Sequence, residues 1–161
     1  MENERKTDRS ADMGMDEHRL SDILLASQIK ATDIYETPPQ IIWIDNSTIA
    51  TLGNFSASTG KAKSKKTFNV SALVAASLAG KQVLNYRAHL PEGKQRILYV
   101  DTEQSRFHCR SVLERILRLA GLPTTTDPEN LDFFCLREYS PSVRVEVIDY
   151  ALRQNKGYGL V

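Results

Sequence analysis

Cysteine is scarce in this chain: Cys109 and Cys135 stand far apart, and neither belongs to a CxxC pair. With His18, His89 and His108 equally scattered, the ligand spacing of a structural zinc site is missing. Charge of one sign is also missing, since 21 basic and 20 acidic residues leave a net charge of +1. The overall balance therefore gives no argument for binding a polyanion, although a local patch is not excluded by it. No apolar run approaches the ~18 residues needed to span a bilayer, and the charged opening MENERKTDRSADMGMDEHR has no apolar signal core. These absences lead us to expect a soluble, reduced, cytoplasmic protein with no membrane partner.

The ordinary 41% of apolar residues is enough for one real core. Residues 1–15 are polar and read as a disordered tail. Residues 16–36 read as an amphipathic helix carrying Leu20, Ile23, Leu24 and Ile29 on one face, followed by a linker that Pro38-Pro39 ends. From residue 37 to 161 strand and helix alternate. Residues 41–44 form a first short strand, the turn Asp45-Asn46-Ser47 follows, and residues 49–59 are extended and end in a loop. A helix from Thr67 to Ala79 is apolar nearly all round and is stopped by Gly80, so it must be buried.

A strand at 97–100 comes next, then a helix at 106–120 with Cys109, Val112, Leu113, Ile116 and Ala120 inward. A strand at 133–136 follows, and then a helix begun by Ser140-Pro141 with Val143, Val147, Ile148, Ala151 and Leu152 inward. A last apolar run opens at Tyr158. The alternation implies an α/β fold, a mostly parallel sheet flanked by helices.

The buried helix is preceded by Gly60-Lys61-Ala62-Lys63-Ser64-Lys65-Lys66-Thr67. The Walker A phosphate loop reads Gly, four residues, Gly, Lys, Ser or Thr. Three of those four defining positions match, and Lys65 stands where the second Gly belongs. In such a loop successive backbone N–H groups cradle the β-phosphate and the helix directs its positive end at the anion. Lys66 would reach the β and γ oxygens, and the Thr67 hydroxyl would ligate Mg²⁺. A side chain at a position that favours positive φ costs on the order of 1 kcal/mol, which does not forbid the loop. The alternative is a basic surface turn, which leaves unexplained why so buried a helix begins there.

The strand at 97–100 runs into Asp101-Thr102-Glu103. Period-two alternation sets Tyr99, Asp101 and Glu103 on one side, and ligands of open α/β sheets bind at the carboxyl ends of strands. Glu103 is thereby placed to polarise a water attacking the γ-phosphate, with Asp101 as a supporting partner; the alternative for Glu103 is a solvated or helix-capping turn. Arg106, Arg110, Arg115 and Arg118 read as a solvated face or as a subunit or nucleic-acid contact. His108 reads as a surface residue. Trp43 and Tyr86 suit either an adenine stack or the core.

The segments Leu52-Gly53-Asn54-Phe55, Gly60 through Thr67 with Phe68, and Asp101-Thr102-Glu103-Gln104-Ser105 resemble RecA-like AAA-type ATPases of bacterial mobilisable and integrative elements. These are similar in core to the RepA and DnaB type of hexameric helicase. The resemblance spans about residues 40–161. It implies a RecA-like P-loop domain that binds ATP and Mg²⁺ through residues 60–68, with Lys66 and Thr67 in the Walker A roles and Glu103 as the catalytic carboxylate. It also implies a ring-shaped homo-oligomer acting on DNA in replication or mobilisation. The family's Walker B aspartate would follow the strand begun at Tyr158, beyond Val161, so the domain is expected to be truncated and turnover to belong to a longer chain. Two other functions stay open: a nucleotide-binding regulatory module without turnover, and an α/β domain whose basic loop contacts nucleic-acid backbone.

Overall fold

The computed structural model describes residues 16–61 and 64–161, and the chain divides into two units at Thr37/Pro38. The expected tail at 1–15 lies outside the described residues. The first unit carries helix α1, Glu17–Ser27, whose N-cap Asp16 accepts from the His18 N–H at 3.4 Å. It is shorter than the apolar spacing suggested, and Ile29 lies beyond its end. Asp33 closes the following turn by accepting from the Lys30 N–H at 2.8 Å and the Tyr35 hydroxyl at 2.9 Å.

The second unit holds two sheets around one core. Strands β1 (Gln40–Ile44) and β2 (Ser47–Thr51) form a hairpin turned by Asp45-Asn46, with Asp45 at φ 51°. A short strand that sequence periodicity did not reveal, β3 (Tyr86–Ala88), pairs antiparallel on the other side of β1. The second sheet is parallel: β4 (Arg96–Asp101) lies between β5 (Leu131–Cys135) and β6 (Tyr158–Leu160). The expected mostly parallel sheet is thus corrected to an antiparallel and a parallel sheet of three strands each. The hairpin turn at Asp45-Asn46 is too short for any crossover, so β1 and β2 can pair only antiparallel.

Helix α2, Lys66–Ala79, joins the two sheets. It packs on β3, on β4 and on α3 (Arg106–Ala120). Ala72, Ala75 and Ala76 are fully buried, and these small side chains let strands and helix approach on several sides. Two buried hydroxyls are satisfied within the helix, Ser71 Oγ on the Thr67 carbonyl at 2.7 Å and Ser77 Oγ on that of Leu73 at 3.0 Å. Only the first turn, residues 66–69, is exposed throughout. Helix α3 turns Cys109, Val112, Ile116, Leu117 and Ala120 inward and ends at Gly121 with φ 77°. Helix α4, Pro141–Gln154, starts on the Ser140 cap as expected, but none of its residues is fully buried and Val143 is exposed. Among the described residues no helix is long and apolar enough to cross a membrane.

The amino ends of the three parallel strands share one carboxylate. Asp132 Oδ2 accepts from Arg96 Nη2 at 2.9 Å and from the Tyr158 hydroxyl at 2.5 Å. Burial pushes the Asp132 carboxyl up, but the Tyr158 and Arg96 hydrogen bonds and the Arg96 charge together hold it below its ordinary value of 3.8. A carboxyl with a lowered pKa stabilises the fold above its unfolded pKa, and that contribution disappears as pH falls through the folded value. Asp132→Asn is therefore expected to lose about 1–2 kcal/mol at neutral pH, after allowing for solvent screening. Urea titrations should show the gap from wild type closing as pH drops below 3.8; a gap independent of pH would contradict the shared-carboxylate account.

Candidate functional site

The loop entering α2 ends in a left-handed residue. Lys65, in the place of the second Walker A glycine, has φ 59° and ψ 25°, the left-handed region. Its carbonyl accepts from the Phe68 N–H at 3.0 Å and the Asn69 N–H at 3.1 Å, so this residue starts the helix. Lys66 folds its ammonium back onto the Gly60 carbonyl at 2.6 Å, closing the loop across six residues. Gly60 tolerates that closure because it lacks a side chain: a Cβ there would stand 2.6 Å from Ser64 Oγ. Ala62 and Lys63, expected in the middle of the cradle, lie outside the described residues.

The electrostatics favour an anion. Lys61, Lys65 and Lys66 cluster at the positive end of α2, and its first turn contains no acidic residue. Thr67 sits in that exposed first turn, and among the described residues its hydroxyl has no hydrogen-bond partner, leaving it open for a ligand. Arg115, on the half-buried flank of α3, joins Lys65 and Phe68 around an open surface depression beside the loop. Sequence periodicity assigned Arg115 to a solvated face. The signal for its true position was its place in the helix, one residue before buried Ile116 and three after buried Val112.

The other arginines of α3 do behave as a solvated face. Arg110 and Arg118 both pair with Glu114, at 3.1 and 3.2 Å, and Arg110 also donates to the Thr124 carbonyl at 2.8 Å. Arg106 is exposed.

At the carboxyl end of β4 the two carboxylates differ in setting, Asp101 buried and Glu103 exposed. Asp101 is 8% exposed and accepts from the Glu103 N–H at 2.9 Å, the Gln104 N–H at 2.7 Å and Gln104 Nε2 at 2.7 Å. These bonds bend residues 102–104 out of the strand, which ends at Asp101. Strand alternation therefore does not extend to Glu103, whose orientation is set by this turn instead. Glu103 is exposed, and among the described residues no hydrogen bond or ion pair joins its carboxylate to Lys65, Lys66 or Thr67.

Tyr99, one step back on the strand, stacks on Phe133 with ring centroids 4.4 Å apart. Burial and then the Asp101 charge push its phenol upward, while the nearby Arg115 opposes them. His108 is exposed and shares a 2.9 Å hydrogen bond with Ser105 Oγ, which explains why Ser105 does not cap α3.

The extended run expected at 49–59 is a strand only as far as Thr51. Gly53 at φ 82° and the Asn54 side chain, donating to Thr51 Oγ1 at 2.7 Å, turn the chain out of β2. The 52–58 segment instead borders an apolar cavity of about 900 Å³, opposite Tyr158, Gly159 and Leu160 of β6. Tyr86 is a core residue, 8% exposed, and Trp43 is covered by the Arg87 guanidinium at 4.8 Å from its ring; neither is free to stack on a base. Comparison with protein-family models, curated proteins and solved structures returns no match.

The strain at Lys65 is measurable. Lys65→Ala keeps a Cβ in the left-handed region, whereas Lys65→Gly removes it, so the glycine variant is expected to be more stable than the alanine variant by about 1 kcal/mol. Chemical denaturation of the pair reads this difference free of any charge effect. Equal stability would show that Lys65 is not held at positive φ.

Proposed function

We propose that this chain carries the nucleotide site of a RecA-like P-loop ATPase, binding Mg-ATP through Gly60 to Phe68. The observation that carries the reading is the left-handed Lys65 at the entrance to α2, with Lys66 turned back onto the Gly60 carbonyl. A left-handed residue at this place suits a phosphate cradle, whose N–H groups must converge on one point, and it is held at a cost on the order of 1 kcal/mol. The Gly60 carbonyl meanwhile keeps the Lys66 ammonium at the loop, from which a phosphate oxygen would displace it.

The donors suit the group. Lys66 and the positive end of α2 would take the phosphates, with Lys65 and Arg115 adding charge beside Phe68. Among the described residues no three His, Cys, Asp or Glu side chains converge on a metal site. A Mg²⁺ held by the Thr67 hydroxyl would therefore draw its other ligands from phosphate and water, the usual arrangement for this ion. When bound it would neutralise charge developing between the β- and γ-phosphates. Coupling to DNA replication or mobilisation, and a ring-shaped homo-oligomer, are supported by the sequence resemblance.

A second reading, nucleotide binding without turnover, is favoured by one observation. The exposed Glu103 carboxylate makes no bond to the loop among the described residues, so nothing yet orients it toward a γ-phosphate.

Calorimetric titration with Mg-ATP separates these. Wild type is expected to bind, and Lys66→Ala to lose at least tenfold in affinity, about 1.4 kcal/mol or more, as the ammonium–phosphate contact disappears. Glu103→Gln should bind as wild type does and differ only in phosphate release. Binding that survives Lys66→Ala unchanged would refute the phosphate loop. Phosphate release that is measurable in wild type and lost in Glu103→Gln would exclude the reading without turnover.

A further inference from the structure

The two cysteines, 26 positions apart in sequence, meet at the carboxyl end of β4. Cys109 lies in the first turn of α3 and Cys135 ends β5, in register opposite Asp101. Both thiols donate to one acceptor, the Gln104 carbonyl, Cys135 Sγ at 3.4 Å and Cys109 Sγ at 3.8 Å. The shared acceptor brings the two sulfurs to one side of the turn, each within 4 Å of the same oxygen. Gln104 thus hangs between two sets of partners: its N–H and side-chain amide are held by Asp101, its carbonyl by the thiols.

We propose that Cys109 and Cys135 form an oxidation site, closing to an intramolecular disulfide under hydrogen peroxide and thereby releasing the Asp101–Ser105 turn. The half-buried Cys135 is the thiol an oxidant reaches first, since Cys109 is 4% exposed. Burial first, then the Cys135 contact and the Asp101 charge, push the Cys109 thiol up to about 12, which leaves it the unreactive partner until a neighbour is activated.

The chemistry balances. The Cys135 sulfur attacks the peroxide, the O–O bond breaks, and a sulfenic acid and one water form. The Cys109 sulfur then displaces the sulfenic oxygen, which leaves as a second water carrying the Cys109 proton. One hydrogen peroxide is reduced to water and two thiols are oxidised to one S–S bond. Both S–H donors to the Gln104 carbonyl vanish in the process, and α3 is tied directly to the end of β5. The turn so affected carries Glu103, but the modification stands on the cysteine geometry alone and does not require the nucleotide reading.

The test treats the folded chain with dilute hydrogen peroxide and then with N-ethylmaleimide, and reads intact mass and linked peptides. The reduced chain should take two maleimides. The oxidised chain should take none, weigh two hydrogen atoms less, remain monomeric and yield one peptide pair joining Cys109 to Cys135. In Cys109→Ala, Cys135 should stop at a sulfenic acid that dimedone traps. Hydrogen exchange should then quicken several-fold at the Glu103 and Gln104 amides of oxidised wild type. The proposal is overturned if wild type gains oxygen at Cys135 while Cys109 still takes maleimide, or if the disulfide joins two chains. Unchanged exchange at 103 and 104 in a fully linked chain would overturn the release of the turn. The wild-type arms decide the matter even if the alanine variant does not fold.

Discussion

Helix α2 has almost no face to give to water, and the second unit is arranged around that constraint. From Ser71 to Leu78 every residue but Leu73 is buried, so the helix needs neighbours on all sides. A buried side chain the size of Val74 or Leu78 contributes about 1.5–3 kcal/mol relative to exposure, and no single sheet can cover a whole cylinder. Two sheets and α3 supply the cover: the antiparallel one through β3, the parallel one through β4. The only turn left exposed is the first, and the basic loop stands there. Burial thus places the loop at the surface with its anion-seeking end outward, before any electrostatic argument is made.

The parallel sheet is tied at both ends by carboxylates with different tasks. At the amino ends Asp132 joins β4, β5 and β6 through side chains alone, bringing three elements distant in sequence to one oxygen. At the carboxyl end Asp101 spends its oxygens on Glu103 and Gln104, turning the chain from strand to helix. Its own carbonyl accepts from the Leu136 N–H at 2.7 Å, extending the β5 pairing past the end of the strand. The geometry of Glu103 therefore depends on Asp101, and the thiols behind Gln104 complete the support. A charged side chain placed on an exposed turn is held in position only as well as the turn is.

Much of this was legible in residue pattern, and the failures share a cause. The limits of α2, α3 and α4 follow from local signals: Gly80 and Gly121 at positive φ, and Ser140 before Pro141. The positive φ at Lys65 follows from the place a glycine holds in the loop pattern. What periodicity could not show was pairing. Strand β3 is three residues long and contributes only Tyr86 and Ala88 to the core, too little for a period of two to register. Residues 54–59 have the composition of a strand, yet Gly53 and Asn54 turn the chain away from β2 before any partner is met. Glu103 was aligned with Asp101 by strand alternation that ends at Asp101. Arg115 and the meeting of Cys109 with Cys135 depend on how α3 lies against its neighbours, which no local window contains.

The strained lysine links stability to chemistry. A left-handed residue with a side chain persists only where its surroundings over-determine it. Here the determinants are on both sides: α2 is held by its buried Ala72, Ala75 and Ala76, and Gly60 by the Lys66 ammonium. Glycine at position 65 would relax the loop but would leave its conformation less restricted when empty. Lysine narrows the conformations open to the residue and adds a positive charge beside Phe68 and Arg115. Lysine at this position thus exchanges a small loss of stability for charge and restriction beside Phe68 and Arg115, which is compatible with the proposed anion site.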